Sequence, residues 1–255
     1  MNTHYATSLA AIGTHEFSGS NASLIKDRLS YIADIVDLDS LKTVMEIGSW
    51  DALDSMEFAT LLPTAQVHIF EAAADNIPTC NANLSRLDSA TRNRIKLWNM
   101  AGNDRTGLME FNAVDLANSQ TKYNMGVGSK YKLIEGLEGS FINEHWAQKT
   151  VKVWGYKLDD WRKAYNIPAI DAIWMDVQGA ELDVLRGAAA SLVDTRVIMT
   201  EAGVVPYYEG QALKPEIDTF LAELGFWELT PAFQMAHELE ANAVYLNSRF
   251  YPKHG

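Results

Sequence analysis

Four acidic residues stand at or just past the ends of short apolar runs, where a chain can do chemistry. They are Glu46 in Val44-Met45-Glu46-Ile47-Gly48, Glu71 after Val67-His68-Ile69-Phe70, Asp176 after Ala172-Ile173-Trp174-Met175, and Glu201 after Val197-Ile198-Met199. A carboxylate so placed can accept the two hydroxyls of a ribose, balance a cation or take a proton from a hydroxyl. Glu71 follows Glu46 by 25 positions, a spacing that suits either an adenine dinucleotide or S-adenosylmethionine. The glycines separate the two. A pyrophosphate needs the second and third glycines of G-x-G-x-x-G for close backbone approach and helix packing. Here Trp50 and Leu53 (or Ala52, one place earlier) occupy those places. A tryptophan would obstruct a diphosphate. S-adenosylmethionine carries an ammonium and a sulfonium but no phosphate, and suits acidic surroundings such as Glu46 and Asp51.

A second constellation follows Asp176. Gly179 opens a turn and Glu181 falls in the first turn of the next helix, where the macrodipole also favours an acid. Asp176, Glu181 and Glu201 could assemble an oxygen site for Mg²⁺ or Ca²⁺, but spacing alone does not establish one and no metal is expected. No H-x-x-H or H-E-x-x-H pattern offers a zinc site. Among the histidines, His68 sits inside a strand and reads as packed. His145 and His237 lie in weakly patterned stretches and stand behind Asp176 as candidate general bases. Tyr207-Tyr208 is a candidate rim for an acceptor pocket, and Asn124 to Ser129 a candidate lid.

The elements that position these residues alternate. Leu24, Ile25, Leu29, Ile32, Ile35 and Val36 recur at helical spacing. Strands are expected at 43–47, 67–70, 95–98, 172–175 and 197–199, with helices between them and a further helix around 213–224. The tail reads as two strands, 226–229 and 243–246. Nearly continuous apolar strands alternating with helices imply a mainly parallel sheet covered on both faces, and such sheets bind ligands at the carboxyl ends of their strands. Residues 1–40 are expected to form an N-terminal arm and helix. Residues 41–255 are expected to form one domain, with a variable insert at about 104–156 that contains an extra strand at 107–111.

Composition narrows the function. The chain has 255 residues, 47% hydrophobic and 21% charged, with a formal net charge of -12, which is ordinary for a globular enzyme. Phosphate contacts need clustered Lys and Arg, and no such run exists, so a nucleic-acid partner is not expected. Cys80 is the single cysteine, which excludes an intrachain disulfide. The N-terminus lacks the form of a secretory signal, and no apolar run approaches the roughly 20 residues that cross a bilayer. A cytoplasmic protein away from membranes is expected.

The segment Asp176 to Ala188, an aspartate-x-x-glycine-alanine-glutamate turn leading into a leucine and small-residue helix, resembles the FkbM family of methyltransferases. Glu46-Ile47-Gly48, Phe70-Glu71-Ala72, the turn from Ala101 to Gly107 and Leu158-Asp159-Asp160 support the resemblance, which covers about residues 42 to 248. It implies a class I methyltransferase (Rossmann-like) α/β fold with a seven-stranded sheet. The implied donor is S-adenosyl-L-methionine, released as S-adenosyl-L-homocysteine, and the implied acceptor is a small hydroxylated sugar or natural product. Carried over by position, Glu46, Gly48 and Asp51, beside Trp50, should hold the methionine end and Glu71 the ribose. Ala72 should lie beside the adenosine, and Met100, Ala101 and Gly102 near the adenine. Asp176 should face the transferred methyl and the acceptor. The chain departs from the family at Ala52, where glycine is common, and at Gln178, where glutamate is common. The alternatives are an NAD- or nucleotide-sugar-dependent Rossmann enzyme and a non-catalytic S-adenosylmethionine-binding subunit.

Overall fold

A computed structural model describes residues 24–119, 126–134, 147–229 and 240–253. The first described element is helix α1 (Leu24–Ile32). Its Ile25, Leu29 and Ile32 are buried, as a spacing of three and four places them on one stripe. The helix ends before Val36, short of the expected span: the amides of Ile35 and Val36 both turn back onto the Ile32 carbonyl. Strands and helices then alternate as β1 (Thr43–Ile47), α2 (Leu53–Leu61), β2 (Gln66–Phe70), α3 (Ile77–Leu84), α4 (Ser89–Arg92) and β3 (Ile95–Trp98). Three strands follow, β4 (Ala101–Gly102), β5 (Gly107–Val114) and β6 (Gln148–Tyr156), then α5 (Leu158–Ala164), β7 (Ala172–Met175), α6 (Glu181–Gly187) and β8 (Val197–Gly203). The chain finishes with α7 (Lys214–Glu223), β9 (Phe226–Glu228) and β10 (Glu240–Asn247).

The main sheet has seven strands in the order β3-β2-β1-β7-β8-β10-β9. Neighbours from β3 to β8 pair in parallel, and β10 runs antiparallel to both β8 and β9. Strands buried on both faces must be apolar on both, and Val44 and Met45 show how that is met. Val44 packs with Trp174, Met199 and the buried faces of α1, α2 and α3. Met45 points the other way, to Ile173, Met175 and the buried faces of α5, α6 and α7. Each such buried side chain contributes about 1.5–3 kcal/mol.

Two strands differ from expectation. β8 runs on to Gly203, so Glu201 lies within the strand and not at its end. The stretch before Tyr156, expected to be irregular, contains β6, which pairs with β5 in antiparallel fashion from Gly107↔Gly155 to Val114↔Gln148 and with β4 in parallel. This second sheet packs on the turn after β2 through Ala73, Phe111 and Ala113. No helix among the described residues is long and apolar enough to cross a membrane.

Candidate functional site

The sheet register sets the expected residues side by side. Asn242 pairs with Glu201, and the ladders that join Thr200, Met175, Ile47 and Phe70 place Glu201, Asp176, Gly48 and Glu71 one residue further on. The row Asn242, Glu201, Asp176, Gly48, Glu71 therefore crosses five strands at one level, on the face covered by α1 and α2. Directly opposite residues in a sheet point to the same face. Two residues lower stands the row Val244, Met199, Trp174, Glu46, Ile69. Gly48 is the gap in an otherwise polar upper row. Its φ is +82°, and a Cβ there would collide with the carbonyl of Asp176, so only glycine lets β1 turn out beside β7.

The turn after Gly48 is held by Glu71, which is 5% exposed. One carboxylate oxygen accepts from the amides of Trp50 (2.8 Å) and Ser49 (3.2 Å). The other accepts from the Ala73 amide (2.8 Å) and Asn76 Nδ2 (3.1 Å). Burial raises the Glu71 pKa while these four donors pull it down. The amides that a diphosphate would need in this turn are thus already given to a carboxylate. Trp50 and Ala52 both take left-handed backbone, φ 56° and 68°. That conformation costs glycine least and puts the Ala52 methyl under strain. Helix α3 fastens the turn from outside, with Asn83 Nδ2 donating to the Asp51 carbonyl (3.0 Å). The Asp51 side chain caps the Leu53 amide (3.0 Å), and burial raises its pKa. Glu46 is buried beneath, hydrogen-bonded to Ser55 Oγ. Burial holds it well above the usual carboxylate range, and the charge of Asp54 adds to this.

Asp176 sits at the other side of the gap. Its carboxyl is hydrogen-bonded to that of Glu201. The charge of Asp176 first, then burial, pushes Glu201 up to about 10. Burial also raises Asp176, and the bond from Gln178 lowers it. Gln178 Nε2 donates to Asp176 Oδ1 (2.7 Å), and the Tyr208 hydroxyl donates to Gln178 Oε1 (2.7 Å). Tyr208 therefore fixes which way the Gln178 amide faces. Gln178 itself has φ 53°. Glu181 braces the same turn, accepting from the amides of Val177 (3.2 Å) and Gly179 (3.1 Å), and burial pushes its pKa to about 8.

The expected residues do not all converge. Gly48, the Trp50 amide, Asp51, Glu71 and Ala72 gather at the turns after β1 and β2, with Asp176 next to Gly48. Met100 instead joins the core on the opposite face. Ala101 and Gly102 form β4, where a Cβ on Gly102 would meet Ile47 and Val184. The residue after β3 that does reach the turn is Asn99, whose Nδ2 donates to the carbonyls of Glu71 (2.8 Å) and Ala72 (3.2 Å). Asn99 and Asn76 gave no sequence signal, since an asparagine after a strand reads as turn chemistry. His68 is packed between Trp98 and Trp161, and burial lowers its pKa to about 4. His145 and His237 lie outside the described residues, as do Asn124 and Met125 of the expected lid. The remainder of that stretch is anchored: Ser129 exchanges both backbone bonds with Asn112, and its Oγ donates to the Gln178 carbonyl (2.6 Å). Among the described residues no group of three or more His, Cys, Asp or Glu is arranged to hold a metal ion.

A parallel sheet with one antiparallel strand next to its edge, a single-glycine turn after β1 and an acid after β2 define a class I methyltransferase. The magnesium protoporphyrin IX methyltransferase (ChlM) of Synechocystis PCC 6803, solved with bound SAM, has the same fold. It superposes with a TM-score of 0.50 at 10% identity, over 97% of this chain and 92% of that one. The methyltransferase FkbM domain matches residues 45–227, and this chain belongs to the FkbM methyltransferase family. The 2-O-methyltransferase NoeI of Sinorhizobium fredii (strain NBRC 101917 / NGR234) is 32% identical over 170 residues. That alignment spans 66% of this chain and 66% of the relative, just under two thirds of its length.

Proposed function

We propose that this chain is an S-adenosylmethionine-dependent O-methyltransferase acting on a hydroxyl of a small sugar or natural product. The observation that carries the reading is the row Glu201, Asp176, Gly48, Glu71: carboxyls on both sides of a gap and no phosphate-binding amides free. Such a row fits a ligand with a ribose diol at one end and a sulfonium and ammonium at the other. Glu71 takes the ribose, and the diol displaces its two longest contacts, those from Ser49 and Asn76. Ala72 borders the adenosine, and Gly48, Asp51 and the buried Glu46 make the methionine end acidic. The bound donor supplies an electrophilic sulfonium methyl. The protein's share is alignment and exclusion of water. Asp176 orients the acceptor hydroxyl and takes its proton as the oxygen attacks. Gln178, donating to Oδ1, fixes the rotamer of Asp176. An oxygen acceptor agrees with the activity named for the rhizobial relative.

Titration calorimetry with S-adenosylmethionine and with NAD tests the donor. Micromolar binding of the first and none of the second is expected. The acceptor is tested by incorporation of labelled methyl into a panel of hydroxylated sugars and polyketides. NAD bound and S-adenosylmethionine ignored would overturn the reading.

A further inference from the structure

Arg28 is the only buried lysine or arginine among the described residues, at 1% exposure. It comes from α1, and its guanidinium lies over the Trp174 ring, 3.8 Å from the centroid. One terminal nitrogen donates to the Asn242 side-chain carbonyl. The other, Nη1, is buried without a partner. A guanidinium taken out of water costs several kcal/mol unless it is paired, and buried polar atoms are nearly always satisfied. A purely architectural arginine would be expected to close on a carboxylate. This one is aimed by an amide, which leaves its charge uncancelled.

The carboxylates that act on it are Asp54 of α2, Glu201 of β8 and Asp176 after β7, in that order. Trp174 stands two residues below Asp176 on β7, and Asn242 stands opposite Glu201, so Arg28 spans the floor beneath the carboxyl pair. Both Arg28 and Asn242 lie outside residues 45–227, the part matched by the family domain.

We propose that Arg28 is a positioning residue of the site: from outside the family domain it supplies the fixed positive charge that holds the Asp176–Glu201 pair with one proton and one negative charge. The inference rests on the reading of Asp176 given above. Two carboxyls in contact in a poorly solvated place cannot both ionise, and a nearby cation decides whether even one does. Asn242 aims the guanidinium without neutralising it, which an aspartate would do.

The test uses S-adenosylmethionine alone, so it does not wait for the acceptor. Its affinity is measured by calorimetry from about pH 5.5 to 9, with folding checked by thermal melting. The donor carries net positive charge, so affinity in the wild type should rise with pH through one ionisation that is missing in Asp176→Asn. Arg28→Met should move that midpoint up by about one pH unit. Arg28→Lys should restore it to within half a unit. Asn242→Asp keeps the arginine and its stack but cancels its charge, and should move the midpoint in the same direction as Arg28→Met, which covers the case of a poorly folded Arg28→Met. A wild-type midpoint in folded Arg28→Met, or in Asn242→Asp, would overturn the inference and leave the reading of Asp176 standing. No such ionisation in either the wild type or folded Arg28→Met would overturn both.

Discussion

Replacing Glu71 by alanine removes the acceptor for four protein donors, and their surroundings set the cost. Ser49, Ala73 and Asn76 are buried, and Trp50 is exposed at 38%, so three of the four donors can reach water only through the space the side chain vacates. An orphaned buried donor costs about 1–3 kcal/mol. The void left by alanine admits water, which puts each of the three near the low end, for a sum of about 3 kcal/mol. Relief of the desolvation that raises the Glu71 pKa returns part of this, leaving about 2 kcal/mol. For a chain of this length that lowers Tm by about 4–8 °C. Donor affinity should fall further than the fold alone requires. Losing a charged partner for the ribose costs about 1.5–3 kcal/mol, or ten- to a hundredfold. Scanning calorimetry and titration with S-adenosylmethionine read the two effects separately. From the sequence, Glu71 is a ligand contact whose removal leaves the fold untouched; the structure makes it a brace as well. A variant with wild-type Tm and wild-type donor affinity would refute both roles and the register of β2 with them.

Asp176→Asn should hold donor affinity at its low-pH value and lose turnover by about 10²–10⁴-fold, the range for a general base; full activity with a confirmed acceptor would remove Asp176 from the chemistry. Glu181 is neutral when folded up to about pH 8 but ionises near 4.5 when unfolded, so the folded state binds the extra proton between those values. Its contribution to stability is complete below about 4.5 and fades as pH rises from there through 8, by up to about 5 kcal/mol in all. Glu181→Gln should flatten that slope in melts taken from pH 5 to 9, and an unchanged slope would assign it to other groups. Ala52→Gly should raise Tm by about 1–3 °C by relieving left-handed backbone at φ 68°, and a lower Tm would show that the buried methyl contributes more than the strain costs.

The sheet was legible in the sequence because its strands are apolar on both faces. Runs such as Ala172-Ile173-Trp174-Met175 hardly depend on context, and the acids after them mark the site. β6 escaped because it is half exposed, with Lys149, Thr150 and Lys152 all open to solvent, and its pairing with β5 bridges a long stretch of chain. Glu201 looked terminal because Ala202 and Gly203 carry no strand signal, although β10 pairs with both. Arg28 was invisible for a different reason. A charged residue on an amphipathic helix reads as solvated, and nothing local announces that Trp174 and Asn242, the latter 214 positions away, will enclose it. Local pattern reports how a segment folds, whereas charge pairing across the chain depends on topology.

The placement of β10 also bears on how the protein is made. β9 precedes it in the chain, yet β10 lies between β9 and β8, pairing along β8 from Glu240↔Gly203 to Leu246↔Val197. A ribosome therefore delivers the outermost strand before the one that joins it to the sheet. Until β10 emerges, β8 keeps an open edge of unpaired amides and carbonyls, a template for another chain, and β9 has nothing to pair with. Arg28, synthesised 214 residues before Asn242, likewise lacks the side chain that aims it. Closure of the sheet and assembly of the site thus fall at the same moment of translation, so a nascent chain that has not yet reached β10 carries most of the core with an unfinished site.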